Sequence, residues 1–233
     1  MTILAFDTAT ALLSVALSVD RCSTQSLWYV EVDAGQRHSE LLMDTADTLL
    51  KKAGLAPAEL DAVACMKGPG SFTGLRIAFA AAKGLALALN IHLLTAPTLD
   101  CMAAPHRHWP GIVIPAIDAK RRCFFTALYR GADRLTEYLD ADGAAITQML
   151  NHVMFPNEPV LLTGPDAGML AAMLSEVPTL RLDPACRSGH ARELATLART
   201  KLEANKGIVS TEQDELRAGP LYLRKSDAEL NLS

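Results

Sequence analysis

The chain opens with two apolar runs that are joined by a short polar turn. Residues 3–19 read ILAFDTATALLSVALSV, in which Asp7 ends the first run and a Thr-rich turn precedes the second. Apolar runs joined in this way indicate two antiparallel strands. The following segments predict a third strand at SLWYVEV (26–32), a helix, a strand ending in a glycine turn (61–70), a second helix and the strand IHLLTAP (91–97). This βββαβα order, continued by a further strand, predicts an α/β unit.

A second copy of the opening hairpin lies near the middle of the chain. The segment IPAIDAKRRCFFTALYR (114–130) aligns with the first hairpin without a gap. The alignment places Asp7 on Asp118 and, beyond the turn, Ala16 on Ala127. Two hairpins of the same pattern indicate an internal duplication.

The segments after the second hairpin continue the repeat. They predict a third strand at RLTEYL (134–139), a helix, a strand and glycine turn at PVLLTGPD (159–166), and a strand at TLRLDP (179–184). The duplicated pattern predicts two α/β halves with mixed sheets, at residues 1–103 and 104–233, joined by the linker APHRHWPG (104–111). We expect the C-terminal tail to pack back on the first half.

Two such halves resemble the actin, Hsp70 and sugar-kinase superfamily, which duplicates a ribonuclease H-like fold around a cleft. In ATP-using members of that superfamily, the turn after each first strand faces the phosphates and contains Asp-x-Gly. Here Ala9 stands at the glycine position of the first turn, and Ala119-Lys120 stands in the second. A Cβ at that position crowds the approach of a phosphate. The resemblance therefore implies a two-lobed α/β fold with a degenerate nucleotide cleft, in which Asp7 is mainly structural.

The stretch KGPGSFTGLR (67–76) has the composition of a phosphate-binding loop but not its spacing. Gly68 and Gly74 are one residue too far apart for a P-loop, which also needs a Lys-Ser or Lys-Thr pair, and the GxGxxG pattern fails as well. Ser71 or Thr73 can instead cap the next helix, whose N-terminus attracts an anion. A purely structural turn is the alternative. The candidate nucleotide or anion contacts are Asp7, Thr8, Thr10, Gly70, Ser71 and Thr73.

Composition and charge limit the classes of function that remain. The chain has 233 residues and a net charge of −4, and its longest run of cations is Lys120-Arg121-Arg122. We therefore expect a partner to hold any nucleic acid. Five cysteines without a CxxC pair indicate reduced thiols. The N-terminus does not resemble a signal peptide, and no apolar run is expected to reach about 18 residues, which predicts a cytoplasmic protein without a membrane segment.

Residues for metal or nucleophile chemistry are sparse. His106 and His108 are close in sequence but lack a third ligand nearby, and the HExxH and G-x-S-x-G motifs are absent. Cys123 follows two arginines, which alone does not make it a nucleophile because strand residues alternate faces. The sequence therefore predicts no catalytic residue and no metal site.

Two predicted helices are more apolar than a single core contact requires. The first covers about 39–53, and the second covers about 73–90, where the polar side chains past the cap are Arg76, Lys83 and Asn90. Small residues recur every four positions along the second helix, which lets another helix approach closely: Ala80, Gly84 and Ala88. We interpret the excess apolar surface as a binding face for a protein partner. A helix enclosed within its own domain is the alternative.

These motifs together resemble the TsaB family, also called YeaZ, whose members take part in the synthesis of threonylcarbamoyladenosine (t6A) in tRNA. The matching stretches run over most of the chain: ILAFDTATALLSVAL, RHSELLMDTADTLL, GPGSFTGLRIAFAAAKGLA, AIDAKRRCFFTALY and PLYLRK. One turn departs from the family pattern, in which Asp-Ala-Arg is followed by a glycine and a glutamate. Lys120, Arg122 and Cys123 occupy those places here.

The resemblance implies a non-catalytic subunit. Its family partner is TsaD, the catalytic subunit that transfers threonylcarbamoyl to adenosine 37 of tRNA, and an ATPase, TsaE, joins them. Family members pair through their first two helices, as homodimers alone or as heterodimers with TsaD, and tRNA is reached only through the complex. The interface residues that follow are His38, Ser39, Leu42, Met43, Ala46, Leu50, Arg76, Ala80, Lys83, Gly84 and Leu87. No cofactor is firmly implied, and ATP or ADP at the interface of the complex stays open.

Two other functions compete with this interpretation. The duplicated Asp hairpins are compatible with a free-standing ATPase or small-molecule kinase of the same superfamily. A metallopeptidase is a third hypothesis, but the sequence offers no metal-ligand set for it.

Overall fold

The computed structural model describes residues 1–21, 24–204 and 219–224. Its contacts divide the chain into two compact units, which consist of Met1–Cys101 with Gly189–Leu221, and of Met102–Ser188 with Tyr222–Ser233. The first boundary lies close to the predicted one at 103. The predicted second half, 104–233, differs from the second unit because the chain returns to the first unit at Gly189.

The elements of the first unit follow the predicted βββαβα order, whereas five strands precede the helix α4 of the second unit. The strands are β1 (Thr2–Asp7), β2 (Leu12–Arg21), β3 (Thr24–Asp33), β4 (Ala62–Gly68), β5 (His92–Pro97), β6 (Ile112–Lys120), β7 (Cys123–Thr126), β8 (Tyr129–Arg130), β9 (Asp133–Arg134), β10 (Leu139–Asp142), β11 (Val160–Thr163) and β12 (Leu180–Leu182). The helices are α1 (His38–Ala53), α2 (Phe72–Leu89), α3 (Thr98–Ala103), α4 (Gly143–Val153), α5 (Ala167–Met173) and α6 (Ala191–Ala204). Short 3-10 helices lie at Pro57–Glu59 and Ala104–His106.

The first unit is built on a sheet of order β3-β2-β1-β4-β5. β2 pairs antiparallel with β1 and β3, whereas β4 is parallel to β1 and β5 is parallel to β4. Side chains alternate along β1, so that Leu4 and Phe6 belong to the core under α1 and α2, and Ile3 and Ala5 belong to the core under α6. Both faces of this sheet are therefore covered by helices.

The helix α6 packs on the first unit because its buried face is made of small and apolar residues. Leu194, Ala195 and Ala198 are buried against sheet residues that include Ala5 and Ala16. Alanine on both sides lets the helix approach the sheet closely. The chain thus returns to the first unit with α6, and most of the C-terminal tail, at residues 205–218 and 225–233, lies outside the described part, so that its packing stays a prediction.

The second unit repeats the strand order of the first. Its main path is β10-β7-β6-β11-β12, with β8 and β9 added beside β6. β6 pairs antiparallel with β7 and parallel with β11. The equivalence of the two sheets confirms the duplication predicted from the two Asp hairpins.

The second hairpin differs in register from the ungapped alignment. Ala5 pairs with Ala16 in the first hairpin, whereas the equivalent Ala116 pairs with Thr126, one residue before the predicted Ala127. The cause is an irregularity between Asp118 and Lys120, which shifts the pairing of β6 with β7 by one residue. The alignment is therefore correct on the first strand and wrong by one residue on the second.

The third strand of the second unit is interrupted where the sequence predicts it to be continuous. Within the predicted 134–139, only Arg134 and Leu139 belong to strands. The Leu128 amide donates to the Thr136 hydroxyl at 3.1 Å instead of to a backbone carbonyl. The strands of this region form two separate antiparallel pairs, β7 with β10 and β8 with β9.

The helix α2 is long and apolar enough, by length and composition, to cross a membrane. This finding corrects the expectation that no apolar run reaches such a length. One face of α2 is nevertheless buried in its own unit, with Leu75, Ala78 and Ala82 fully covered. A helix that covers a sheet passes the same test, so its length carries no conclusion about a membrane.

Candidate functional site

The glycines of the β4–α2 turn let it pack tightly against the β1–β2 turn. A Cβ on Gly74 would overlap the carbonyl oxygen of Thr8, and a Cβ on Gly70 would lie 2.6 Å from that of Ala9. The Thr8 hydroxyl donates to the Gly74 carbonyl at 2.7 Å, and the Ser71 amide donates to the Ala9 carbonyl at 2.7 Å. The glycine spacing that fits no phosphate loop is thus accounted for by turn-against-turn packing.

Ser71, one of the two residues that the sequence offers as a helix cap, is the N-cap of α2. Its hydroxyl oxygen accepts the Gly74 amide at 3.2 Å. The other candidate, Thr73, lies exposed in the first turn, and Thr10 accepts the Leu12 amide at 3.2 Å within its own turn. These hydrogen bonds are internal to the two turns, which favours the structural alternative over anion binding.

Asp7 is buried at the end of β1, with 1% of its surface exposed. Its carboxylate accepts the Ala9 amide at 3.0 Å and the His190 amide at 2.9 Å. Burial raises the pKa of Asp7, although the nearby His190 and His38 and the two amides act to lower it. Each oxygen of this buried carboxyl group thus accepts one backbone amide of the same unit.

The partner of Asp7 is the N-terminus of α6, which the sequence reasoning missed. Three successive amides at this end donate to side chains of the first sheet: Gly189 to Glu31 at 2.7 Å, His190 to Asp7 at 2.9 Å, and Ala191 to Ser14 at 3.1 Å. Helix N-termini attract negative charge, so Asp7 and Glu31 are favourable partners. The carboxylates of Asp7 and Glu31 are therefore hydrogen-bonded to the N-terminal end of α6, which belongs to the same unit.

Asp118, the equivalent of Asp7, is also engaged. It accepts the Lys120 amide and the Lys120 ammonium, each at 2.7 Å. Partial burial acts to raise the pKa of Asp118, but the hydrogen bonds and charge of Lys120 outweigh it and hold this pKa below its usual value. Lys120, which departs from the family pattern, thus neutralises the negative charge of Asp118 within the same hairpin.

The predicted interface residues divide into buried and exposed groups. His38, Leu42, Ala46 and Leu50 are buried within the first unit. They hold α1 on its sheet, so we remove them from the candidate surface. The exposed members are Ser39, Met43, Arg76, Ala80, Gly84 and Leu87, with Lys83 half-buried.

The exposed members on α2 form an apolar stripe. Ala80, Gly84 and Leu87 follow the four- and three-residue spacing of one helix face, and Leu87 is 69% exposed. A Cβ on Gly84 would meet no atom within 4 Å. On the adjoining helix α1, Met43 is 43% exposed. We call the exposed apolar residues Ala80, Gly84 and Leu87 of α2 the α2 stripe.

Two cations on α2 are stacked on aromatic rings of the same helix. The Arg76 guanidinium lies 3.7 Å from the centre of the Phe72 ring, and the Lys83 ammonium lies 5.8 Å from that of Phe79. Stacking of this kind restricts the side chains and contributes cation–π attraction. It places two positive charges next to the apolar stripe.

Metal and nucleophile candidates do not converge in the described residues. No group of three or more His, Cys, Asp or Glu side chains there could hold a metal ion. His106 contacts Asp183 at 3.1 Å, and His108 accepts a hydrogen bond from Arg107 at 3.1 Å. Four cysteines form no disulfide, and Cys22 lies outside the described residues.

The sequence and the fold were compared with known proteins. A family model described as tRNA N6-adenosine threonylcarbamoyltransferase, TsaD, matches residues 32–232. The tRNA threonylcarbamoyladenosine biosynthesis protein TsaB of Bacillus subtilis (strain 168) is 32% identical over 235 residues, which cover 98% of this chain and 96% of that protein. The solved structure of YeaZ from Pseudomonas aeruginosa matches with a TM-score of 0.72 and 26% identity, over 95% of this chain and 99% of that one.

A more distant structure shows the fold alone. The activator of 2-hydroxyisocaproyl-CoA dehydratase from Clostridium difficile, solved with bound ADPNP, matches with a TM-score of 0.54 and 11% identity, over 91% of this chain and 99% of that one. Its likeness, together with the duplicated sheets, confirms the fold of the actin, Hsp70 and sugar-kinase superfamily. The near full-length similarity to the B. subtilis protein shows more, namely that this chain belongs to the TsaB family, within the broader family that the TsaD model describes.

Proposed function

We propose that this chain is a non-catalytic subunit for t6A modification of tRNA, and that it binds and activates a catalytic TsaD subunit through the α2 stripe. TsaE joins the complex in this proposal, and two copies of the chain pair through the same surface when TsaD is absent. The name of its near full-length relative in B. subtilis supports a role in t6A biosynthesis. We place the protein in the cytoplasm, and tRNA is reached through the complex.

The observation that carries the proposal is the exposed apolar face of α2. Small side chains at Ala80 and Gly84 leave the backbone accessible to another helix, and Leu87 projects beyond them. Helices pack at interaxial distances of about 8–10 Å, and small residues at the contact allow the shorter values. An exposed apolar stripe rimmed by Arg76 and Lys83 is the pattern of a protein interface, with an apolar centre and a charged edge.

The engaged hairpin carboxylates support a non-catalytic role. A catalytic carboxylate in this superfamily must reach metal or water, whereas Asp7 accepts two backbone amides and Asp118 is paired with Lys120. Freeing Asp7 would require α6 to leave the sheet, which would expose the apolar face of that helix. A nucleotide, if present in the complex, is therefore expected to be held mainly by the partner.

The test is to place a charge or bulk on the stripe and to measure assembly. Ala80→Glu places a charged carboxylate, flanked on the same helix by Arg76 and Lys83, in the proposed apolar contact, and Gly84→Leu fills the space that a partner helix would occupy. We expect each to weaken binding to TsaD by more than tenfold, which corresponds to about 1.4 kcal/mol, and to reduce tRNA modification in the reconstituted system. Binding is measured by co-purification and by sedimentation.

The matched control is Ala172→Glu, the same change at an exposed helical position of the second unit. It should leave assembly unchanged, and thermal unfolding of the three variants should stay near that of the wild type, apart from a small gain for Gly84→Leu because a mid-helix glycine is replaced. Unchanged TsaD binding by Ala80→Glu and Gly84→Leu would contradict the proposed surface. Enzyme-like turnover of ATP by the purified chain without partners would contradict the non-catalytic role and favour the kinase hypothesis.

A further inference from the structure

The tip of the β6–β7 hairpin carries three adjacent cations. Lys120, Arg121 and Arg122 are all exposed, and this run is the densest positive charge in a chain of net charge −4. By the repeat, they stand where the first hairpin has uncharged alanine and threonine. The two turns of one duplicated fold therefore present different chemistry.

The backbone of this tip is unusual for the residues that form it. Lys120, Arg121 and Arg122 have φ angles of 66°, 57° and 64°, all in the left-handed region. Lys120 pairs with Cys123, so Arg121 and Arg122 are the two central residues of a two-residue hairpin turn. Such turns with both central φ angles positive favour Asn-Gly. Cations thus occupy positions where local conformation favours other residues, a pattern that is typical of functional sites.

The base of the hairpin is fixed by residues of the same unit. Arg224 donates to both carboxylate oxygens of Asp140, at 2.7 and 2.8 Å, and to the Ala119 carbonyl at 2.7 Å. The Lys120 ammonium is paired with Asp118 at 2.7 Å. The base of the hairpin is therefore fixed by these hydrogen bonds, and the exposed residues Arg121 and Arg122 lie at its tip.

The chemistry of this tip fits the phosphates of an extended polyanion. Guanidinium groups bind phosphate oxygens in a bidentate manner. Nucleotide sites are concave, whereas a two-residue hairpin tip is convex and exposed, so a single nucleotide is a poor match. We propose that Arg121 and Arg122 contact the sugar–phosphate backbone of the RNA substrate when the chain is part of its complex. This inference rests on the proposed function, because that function supplies the RNA.

The experiment compares three double variants in the complex with TsaD and TsaE. Arg121→Asn/Arg122→Gly removes both charges and installs the pair that the turn favours, so the hairpin is retained. Arg121→Lys/Arg122→Lys keeps the charge. Arg181→Asn/Arg187→Asn removes the same charge from two other exposed positions of the second unit. Affinity for tRNA is measured by fluorescence anisotropy over a salt series.

We expect Arg121→Asn/Arg122→Gly to weaken tRNA binding about tenfold and to reduce the slope of log K against log salt by about 1.4–1.8, the value for two lost phosphate contacts. The lysine variant should keep most of the slope, and the distant variant should keep all of it. An unchanged slope and affinity in the asparagine–glycine variant would overturn the inference. So would weaker assembly with TsaD or TsaE in the absence of RNA, which would identify the tip as a protein contact.

Assembly of the wild-type complex is measured first, because it separates the two proposals. If the wild-type chain does not bind TsaD, the proposed function fails and the RNA contact fails with it. If the complex forms and modifies tRNA but Arg121→Asn/Arg122→Gly behaves as the wild type, only the RNA contact fails.

Discussion

Two glycines of α2 should respond in opposite directions to the same substitution. Gly74 faces the Thr8 carbonyl so closely that an added Cβ would overlap it, whereas a Cβ on Gly84 meets open space. Gly74→Ala must displace the β1–β2 turn, and Gly84→Ala only removes the backbone freedom of a mid-helix glycine. The pair therefore separates packing of the β4–α2 turn from helix propensity.

The size of the effect can be worked from the contacts of Thr8. Overpacking of this kind costs about 1–3 kcal/mol. Moving the turn also strains the bonds from the Thr8 hydroxyl to Gly74 and from the Ser71 amide to Ala9, each at 2.7 Å and each contributing about 1 kcal/mol. A helix-propensity gain of up to about 1 kcal/mol offsets part of this. We expect Gly74→Ala to destabilise the first unit by about 2–4 kcal/mol and Gly84→Ala to stabilise it by about 0.8–1 kcal/mol.

The two tryptophans allow the first unit to be followed separately. Trp28 lies on β3 in the first unit, and Trp109 belongs to the second. Urea unfolding monitored by fluorescence in a Trp109→Phe background therefore reports the free energy of unfolding of the first unit. Wild-type stability of Gly74→Ala would refute the packing explanation of the GPGSFTG motif. If stability were kept and affinity for an inorganic anion were lost, the motif would be an anion site after all.

Three further predictions concern the buried carboxylates Asp7 and Glu158. Asp7→Ala leaves the Ala9 and His190 amides without their acceptor and should cost about 2–4 kcal/mol in urea unfolding, more than Asp7→Asn. Because burial raises the pKa of Asp7 above 3.8, its protonation favours the folded state and stability falls as pH rises from about 4 through the folded pKa. Asp7→Asn should flatten that slope, and a pH profile parallel to that of the wild type would contradict the assignment. In the second unit, Glu158→Gln should cost about 1–3 kcal/mol because Glu158 accepts from Arg130 at 2.7 and 2.8 Å, and wild-type stability of that variant in thermal unfolding would refute it.

The strands and the duplication could be predicted because they depend on local pattern. β1, β6 and β11 are short apolar runs that end at a polar residue or a glycine turn. The helix α1 ends at Gly54, and α2 begins at the N-cap Ser71. The register of the second hairpin could not be predicted, because the irregularity after Asp118 adds no signal to the apolar pattern. At the break within 134–139, the Leu128 amide donates to the Thr136 side chain, a contact that strand propensity does not reveal.

The candidate site was predicted less completely than the fold. Helical periodicity identified α1 as amphipathic but not which face is covered, so Leu42, Ala46 and Leu50 were assigned to a partner although they hold α1 on its own sheet. The role of Asp7 depends on His190, which is far away in the sequence and becomes its neighbour only when α6 returns to the first unit. Contacts of that kind are set by tertiary packing and leave no mark on the local sequence.

The two hairpin turns of the duplicated fold differ in what surrounds them. In the first unit, the turn is enclosed by the β4–α2 turn and by the N-terminus of α6, so its acid stabilises the scaffold that presents α2. In the second unit, the equivalent acid is neutralised by Lys120, and the turn beyond it is left exposed with two arginines. Both carboxylates are thus engaged by the protein's own groups. Among the described residues, the surfaces that we propose for binding other macromolecules are the apolar stripe of α2 and the charged tip of β6–β7.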